Sequence, residues 1–388
     1  MAERIWSVSI KDVAPLTALL ALVAAFTGRA RAADPPGFLG TIHRHMTRTS
    51  TVTDNGDLNP YAVVVAPVSA GRIQKVDVLI DNFNDISNLQ GTGTTIIIYR
   101  PSTKKTSLFA KLPQNSAQCP GGVGLTTAMT MLRSGWIIVG STPSKDGTTR
   151  TKGNGCLLVL DANGRLATAW AGPNINGPWG NMAVVDHGST ATLFVSMAGL
   201  DVPGPDVLDP ATKAPQVVKK GTVLRLQLSI PASGPPGITN QTVVADGFGE
   251  QADQGVFLVG PTGLALGADH TLYATDSVAN RIVAIPDALT RATSAGTGRL
   301  VTQAGMLRRP LTLVTTPQGT LLACNALNGQ VVEIDPKTGA QLHAQWINTD
   351  QAQSPPGSGD LFGLALTPDG KGIYYVHDDV NALVEGTP

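Results

Sequence analysis

Glutamate is nearly missing from this chain, whose 388 residues include only Glu3, Glu250, Glu333 and Glu385. Strong helix formers for exposed faces are therefore scarce, whereas residues that favour turns are abundant, with 43 glycines and 27 prolines. This composition predicts an all-β protein. An excess of charge of one sign is missing too, because 28 basic residues balance 28 acidic ones. No net field favours binding to nucleic acid or to an anionic membrane.

Cysteine is rare, and the spacing of Cys119, Cys156 and Cys324 is not that of a zinc site. A disulfide between Cys119 and Cys156 is conceivable, but the predicted strands place the two residues on non-adjacent strands of one sheet. Strands two apart are separated by about 9–10 Å, which exceeds the reach of a disulfide unless loops bend inward. The strand pattern therefore argues against this bond. Cys324 is expected to pack as a small apolar residue.

Long apolar runs are missing beyond the N-terminus, so no transmembrane helix is predicted. The one N-terminal run, residues 13–26, is short for a bilayer span and precedes a small-x-small pattern at residues 30–32 that is typical of a cleavage site. We therefore expect residues 1–33 to be a signal peptide, with a buried N-terminal helix as the alternative, and residues 34–388 to form one domain. The mature protein is then expected in the periplasm or outside the cell.

Familiar catalytic motifs are missing as well. The chain has no Gly-x-Ser-x-Gly elbow, no His-Glu-x-x-His pair and no phosphate-binding loop of the Walker type. The glycine-containing run at residues 91–93 lies between predicted strands and precedes no helix, so it is not a dinucleotide fingerprint. No basic surface interleaved with aromatic residues indicates nucleic-acid binding.

What the sequence does contain is a repeat. Residues 260–285, GPTGLALGADHTLYATDSVANRIVAI, hold three short apolar runs separated by turn residues, a pattern typical of antiparallel strands. The pattern returns along the chain and predicts six units. Each unit opens on a short marker that ends in a small residue, which allows close backbone approach near a central axis. These small residues are Ala62, Gly122, Gly180, Gly263, Thr312 and Gly363.

The sixth unit lacks its outermost strand, and the β-rich segment at residues 47–53 is available to supply it. A ring closed in this way has no exposed sheet edge at its seam. The sequence therefore predicts a six-bladed β-propeller closed by N- and C-terminal strands. An open β-solenoid or a pair of β-sandwiches is the alternative.

The fourth unit resembles the NHL-repeat propellers. The resemblance rests on its Pro-x-Gly entry, a second strand that ends in Asp, and the Asn-Arg-Ile that opens its third strand. The fifth and sixth units follow the same outline more loosely, and the first three follow it only in outline. The resemblance implies a six-bladed propeller. It implies little about function, because this fold hosts ligand binders, lactonases, lyases and scaffolds.

In a propeller of this topology, the loops between second and third strands share one face with the entries to the first strands. We call it the channel face, because ligands usually enter the central channel of related propellers there. Its candidate binding residues are Asp81, Asn82, Asp276, Asn280, Arg308, Asn325, Asp378 and Asp379. Their oxygen atoms suit a hard cation such as Ca²⁺ or Mg²⁺. The alternative is that Asp and Asn cap turns, and the repeat itself favours that role for Asp276 and Asn280.

Three ionisable groups in one short loop, residues 377–379, exceed what a turn requires, so His377 is the candidate general base or metal ligand. Arg308 either recognises an anion together with its neighbour Arg309 or pairs with nearby acids. Trp179 and Phe362 either line the channel mouth or pack between blades. Long loops at residues 81–93, 140–155 and 196–222 are expected to form a rim or lid on this face.

Two functions are compatible with these features. The first is an exported binding or scaffold module that holds a small molecule or a protein at the channel face. The alternative is a divalent-metal-dependent hydrolase or lyase resembling the propeller lactonases, with His377 as its base. Three or more ligands converging in the channel would favour the enzyme. Apolar side chains that plug the channel mouth would argue against it.

Overall fold

Short apolar runs bounded by turn residues form strands throughout the protein. The run TIIIYR at Thr95–Arg100, for example, is buried along nearly its whole length. The computed structural model describes residues 37–388, so the predicted signal peptide lies outside the described residues. Within this part of the chain the strands form six antiparallel sheets, and no helix there is long and apolar enough to cross a membrane.

The six sheets are the blades of a propeller, and their strands are numbered here in chain order. Blade one contains β2 (Leu58–Val65), β3 (Val78–Asn84), β4 (Thr95–Arg100) and β5 (Lys105–Lys111). Blade two contains β6 (Leu125–Met131), β7 (Ile137–Ser141), β8 (Cys156–Leu160) and β9 (Leu166–Trp170). Blade three contains β10 (Ala183–Asp186), β11 (Thr190–Met197), β12 (Val218–Ser229), β13 (Gly237–Asp253) and β14 (Phe257–Val259).

The remaining blades have four strands each. Blade four contains β15 (Pro261–Leu266), β16 (Leu272–Asp276), β17 (Arg281–Ile285) and β18 (Arg299–Gln303). Blade five contains β19 (Pro310–Thr315), β20 (Leu321–Asn325), β21 (Gln330–Ile334) and β22 (Gln341–Trp346). Blade six contains β23 (Leu361–Leu366), β24 (Ile373–His377), β25 (Ala382–Thr387) and β1 (Arg44–Ser50). Two 3-10 helices, Leu39–Thr41 and Thr149–Thr151, lie in the connections.

The innermost strands of neighbouring blades approach closely at small residues. A Cβ atom on Gly180 would lie 1.8 Å from the carbonyl oxygen of Thr262, and one on Gly363 would lie 2.4 Å from that of Tyr61. Only glycine tolerates such contacts with backbone, which confirms the role predicted for these two positions. In blade two the prediction was wrong by two residues, because the close approach is made by Gly124 against Gly91 and not by Gly122.

The ring closes as predicted, through a strand from the N-terminal part of the chain. β1 pairs antiparallel with β25, from Arg44 opposite Thr387 to Ser50 opposite Ala382. The segment before β1 has a second attachment in blade five. The buried carboxylate of Glu333 on β21 accepts hydrogen bonds from the backbone N–H groups of Phe38 and Leu39, at 3.0 and 2.9 Å.

The structure also corrects the expectation for the cysteines. Cys119 and Cys156 form a disulfide with their Cα atoms 5.7 Å apart. The strand argument failed because Cys119 is not on a strand. The first strand of blade two begins only at Leu125, and the preceding turn, tied by a hydrogen bond from the Cys119 N–H to the Ser116 carbonyl, brings Cys119 to the start of β8. Cys324 is free and buried, as expected.

Candidate functional site

Three carboxylates converge in blade six. Asp350 and Asp360 belong to the loop between β22 and β23, and Asp379 belongs to the short loop between β24 and β25. One carboxylate oxygen from each lies within 4.8 Å of the others. We call Asp350, Asp360 and Asp379 the rim cluster. All of its ligand atoms are carboxylate oxygens, the donors that Ca²⁺ and Mg²⁺ prefer.

Hydrogen bonds hold the members of the rim cluster in place. The amide of buried Asn348 donates to Asp360 Oδ2 at 2.6 Å, and the same amide nitrogen lies 3.5 Å from His377 Nδ1. The side-chain amide of Gln353 donates to Asp379 Oδ2. Asn348 therefore links a carboxylate of the cluster to the histidine at the end of β24.

The electrostatics of the loop reflect crowded negative charge. Burial, followed by the neighbouring Asp379, raises the pKa of Asp360 to about 7. Burial, with added repulsion from Asp379 and Asp360, also raises the pKa of Asp378 well above its ordinary range. Burial lowers the pKa of His377, although Asp379 and Asp350 oppose that change. His377 is thus a neutral base at pH 7. A cation bound to the neighbouring carboxylates would reduce the repulsion between their charges.

A cavity of about 290 Å³ opens beside the rim cluster, between blades six and one. Asp360, Asp378 and Asp379 line its acidic side. Asn59 and Asn88, from blade one, line the other side together with Gly255. This volume accepts a small molecule and has polar residues on both of its sides.

The propeller axis itself is filled with aromatic side chains. The Tyr61 ring stacks between Phe83 and Phe362, with ring centroids 4.2 and 3.8 Å away. Trp179 stands edge-on to Tyr61 at 6.2 Å, and all four side chains are buried. Trp179 and Phe362 therefore pack at the axis and do not line an open mouth. This packing argues against a catalytic site on the axis, and it leaves the rim of blade six as the candidate.

A hairpin outside the repeat covers the axis. β13 continues to Asp253 and turns back as β14, so residues 251–259, the cap hairpin, extend blade three towards the other blades. Its Phe257 contacts Phe83 at a centroid distance of 5.6 Å. Arg309 forms an ion pair with Asp253 and donates to Gln251 Oε1 at 3.1 Å, whereas exposed Arg308 donates to the carbonyl of Gly305. Arg309, rather than Arg308, thus attaches this hairpin to blade five.

The structure does not bring Asp276, Asn280 and Asn325 into the rim cluster. Asp276 accepts from the backbone N–H of Ala279 and from Arg281 within its own loop. Asn280 Oδ1 accepts from the Arg309 N–H at 2.8 Å. Asn325 Oδ1 accepts in the same way from the Arg308 N–H at 2.9 Å. These side chains hold loops and blade junctions together.

Asp81 and Asn82 are fully buried in β3 and do not line the cavity beside the rim cluster. Asp81 Oδ1 accepts from the Ala62 N–H at 2.8 Å, which links the first two strands of blade one. Asn82 donates to the carbonyl of Thr51 at 2.9 Å and so ties blade one to the segment after β1. Both were candidates because they were expected in the loop after the second strand of the first unit. That prediction was wrong, since β3 continues to Asn84 and their side chains point into the protein.

We expect Asp81→Asn to stabilise the protein increasingly as the pH rises. Burial raises the pKa of Asp81 from 3.8 to about 8. The folded state therefore binds this proton more tightly than the unfolded chain does, and the carboxyl loses stability between about pH 4 and pH 8. An asparagine keeps the acceptor for Ala62 and cannot ionise. Measured by urea unfolding, the stabilisation by Asp81→Asn should be about 5 kcal/mol larger at pH 8 than at pH 4.

The control for this prediction is Asp54→Asn, which changes an exposed carboxylate in the turn before the first strand of the same blade. Its difference from the unaltered protein should stay nearly constant over the same pH range. An equal pH dependence in the two variants would contradict the assignment of the titration to Asp81.

Sequence reasoning missed Asp350 and Asp360. Their loop, NTDQAQSPPGSGD, lies between two units and matches no position of the repeat. One signal was available. Asp360 immediately precedes the entry marker of the sixth unit, and no other unit has a carboxylate at that position.

The predicted long loops are present on the channel face, and two of them enclose a second cavity of about 320 Å³. Asp85 and Thr92 come from the loop of blade one, and Ser144 and Lys145 come from the loop of blade two. The second loop is stiffened by Asp146, which accepts from the hydroxyls of Thr148 and Thr151. These loops form a rim and do not cover the axis. The cap hairpin covers it.

No protein-family profile and no curated protein matches the chain. Solved structures match over most of its length. A gluconolactonase from Xanthomonas campestris is 12% identical, with 89% of each chain covered and a TM-score of 0.52. A PQQ-bound aldose sugar dehydrogenase from Streptomyces coelicolor is 14% identical, with 89% of this chain and 98% of that chain covered and a TM-score of 0.51.

A luciferin-regenerating enzyme is 13% identical, with 87% of this chain and 94% of that chain covered and a TM-score of 0.50. At such identities the likeness shows the fold alone, a six-bladed β-propeller. The resemblance to NHL repeats in particular stays a prediction.

Proposed function

We propose that the protein is a divalent-cation-dependent hydrolase of a small ester or lactone, with its site at the rim cluster. The observation that carries the proposal is the convergence of three carboxylate oxygens within 4.8 Å, beside a histidine that burial keeps neutral. The gluconolactonase among the structural neighbours agrees with this reaction class. An all-carboxylate donor set fits a hard cation such as Ca²⁺ or Mg²⁺.

Asp350, Asp360 and Asp379 would hold the cation, which polarises a carbonyl and lowers the pKa of a bound water. His377 would accept the proton of the attacking water, because its neutral form is available at pH 7. Asn348 holds both Asp360 and His377 and so orients the base relative to the ligands. The amides of Asn59 and Asn88 across the cavity would hydrogen-bond the polar substrate.

A cation titration tests the site directly. A cation present at 100 times its Kd should stabilise the protein by about 2.7 kcal/mol, read as a rise in Tm with Ca²⁺, Mg²⁺ or Mn²⁺ in chelator-treated buffer. Asp379→Asn should abolish most of this rise. The same variant should have a higher Tm than the unaltered protein in EDTA, because it removes the charge that repels Asp360 and Asp378.

The matched control is Asp54→Asn, which should keep the full cation response. Hydrolysis of gluconolactone and δ-valerolactone, followed by acid release, then tests the reaction. A Tm that no cation changes, or that changes equally in both variants, would overturn the proposed site.

A binding module without catalysis is the second candidate, and the filled axis favours it. Apolar side chains fill the channel mouth. A scaffold tolerates this packing, whereas an enzyme that works inside the channel requires an open mouth for its substrate. A cation-dependent rise in Tm without any lactone or ester hydrolysis would support this alternative.

We also propose that the protein acts in the periplasm or outside the cell after export. The disulfide between Cys119 and Cys156 supports this location, because such bonds persist in oxidising compartments.

A further inference from the structure

The aromatic side chains at the axis form a box with a distinct geometry. Tyr61 and Phe83 are stacked, with their planes 20° apart, and Phe362 stacks on the other side of Tyr61 at 17°. Trp179 closes one side, edge-on to Phe83 at 5.6 Å and 77°. We call Tyr61, Phe83, Trp179 and Phe362 the axial box. Stacked and edge-on faces of this kind are favourable contacts for a further aromatic ring.

Phe257 of the cap hairpin supplies that ring. It meets Phe83 edge-on, at 5.6 Å and 71°, and lies 5.7 Å from Trp179 with a tilt of 34°. Its φ is +69°, in the left-handed region that bulky residues rarely adopt. The contacts of the ring with the box thus impose a strained backbone on Phe257, and movement of the ring out of the box would relieve that strain.

Contacts at the tip of the cap hairpin are few and partly exposed. The ion pair between Arg309 and Asp253 leaves 28% and 16% of the two side chains exposed. Gln90 reaches across from blade one to the carbonyls of Gln254 and Gly255, which are exposed residues. β14 pairs with β13 through only three residues. The tip, residues 253–257, is therefore held less firmly than the strands of the blades.

The axial box also contains a polar group without a partner. The Tyr61 hydroxyl is fully buried and has no hydrogen-bonding partner among the described residues. Burial, followed by the charges of Asp378 and Asp253, raises the pKa of Tyr61, so the hydroxyl is held in its neutral, donating form. Buried hydroxyls are nearly always paired, which points to a ligand that brings its own polar group.

We propose that the axial box binds the aromatic ring of a small molecule that carries a hydrogen-bonding group, and that Phe257 occupies the box until the tip of the cap hairpin moves aside. The ring of the ligand takes the place of the Phe257 ring against Phe83 and Trp179. Its polar group pairs with the Tyr61 hydroxyl. This site requires no cation, and it adjoins the cavity beside the rim cluster, which Gly255 at the tip also lines.

The test uses p-cresol as the probe, in EDTA so that the rim cluster plays no part. Toluene lacks the hydroxyl of p-cresol, and 4-methylcyclohexanol lacks the aromatic ring. Calorimetric titration of the unaltered protein should show binding of p-cresol at least tenfold tighter than of either analogue. Arg309→Gln, which removes the ion pair at the tip, should tighten p-cresol binding about fivefold because opening becomes easier. Tyr61→Phe should lower p-cresol affinity to that of toluene.

Hydrogen exchange distinguishes this site from others. Added p-cresol should speed amide exchange in residues 253–257, since the tip is displaced, whereas binding elsewhere would leave it unchanged. Phe257→Ala should bind aromatic rings whether or not Phe257 moves aside in the unaltered protein, because the cavity left by the missing side chain accepts them. If only Phe257→Ala binds p-cresol, and the unaltered protein and Arg309→Gln do not, Phe257 is a permanent core residue and the proposal is overturned.

Discussion

Replacing Glu333 by alanine is expected to lower the free energy of unfolding by about 3–5 kcal/mol. The carboxylate is fully buried and accepts three hydrogen bonds, from the N–H groups of Phe38 and Leu39 and from the Thr320 hydroxyl at 2.7 Å. Hydrogen bonds to a charged group contribute about 1.5–3 kcal/mol each, and the N–H groups left behind become unpaired. Urea unfolding measures the loss.

Amide exchange locates the effect. In Glu333→Ala, residues 38–50 should lose protection first, because the segment before β1 is then held by strand pairing alone. The stability of Glu333→Gln should lie between that of the unaltered protein and that of Glu333→Ala. Glutamine keeps one acceptor oxygen, but its NH₂ group faces a backbone N–H, which is also a donor.

Glu385→Ala is the matched control for this prediction. Glu385 also joins the N-terminal segment to the rest of the protein, through an ion pair with Arg48, but both side chains are partly exposed, at 17% and 22%. Such pairs contribute about 0–1 kcal/mol. Equal losses in Glu333→Ala and Glu385→Ala would contradict the importance assigned to the buried attachment.

Replacing His377 by alanine is expected to lower kcat for lactone hydrolysis by a factor of about 10²–10⁴, the range for loss of a general base. The cation-dependent rise in Tm should remain, because the three carboxylates are intact. This combination separates a base from a metal ligand, which would lose both. In the unaltered protein saturated with the cation, activity should fall with acid below pH 6.5, because burial lowers the pKa of His377 from that value.

His343→Ala serves as the control, since His343 is an exposed histidine on the outer strand of blade five. It should leave both kcat and the cation response unchanged. If His377→Ala retained full activity while Asp379→Asn lost it, the base would have to be another group, and the role assigned to His377 would be wrong.

The repeat predicted much of the fold because each blade places the same local pattern in the same environment. The three apolar runs of residues 260–285 form the strands Pro261–Leu266, Leu272–Asp276 and Arg281–Ile285, and the closing strand was expected three residues late, at 47–53 instead of Arg44–Ser50. Alternation and turn residues decide these elements locally. The closing strand followed from the missing edge of blade six, a constraint on the whole ring.

Elements outside the repeat were not predictable in this way. The cap hairpin grows out of the outer strand of blade three, because β13 is 17 residues long and runs on to Asp253. Nothing in the local pattern shows that the next apolar run, Phe257–Val259, turns back over the axis. Its position depends on the aromatic rings that receive it, and those come from blades one, three and six.

The candidate site was predicted in part. His377, Asp378 and Asp379 attracted attention because they depart from the repeat, and the structure places all three beside the cavity or the rim cluster. Asp81 and Asn82 show why residue type alone is insufficient. A polar residue at the end of a strand can face the channel or the interior, and only the partners Ala62 and Thr51 show that these two face inward.

The seam between β1 and β25 has a mechanical consequence. Because the two strands are antiparallel, Arg44 and Thr387 are opposite each other at one end of the pair. A force that separates the two ends of the described chain therefore peels the strands apart one hydrogen bond at a time, instead of loading all of them at once in shear. Once Phe38 and Leu39 are pulled from Glu333, the protein should open at this seam under a small force, and β1 should leave blade six before the other strands separate.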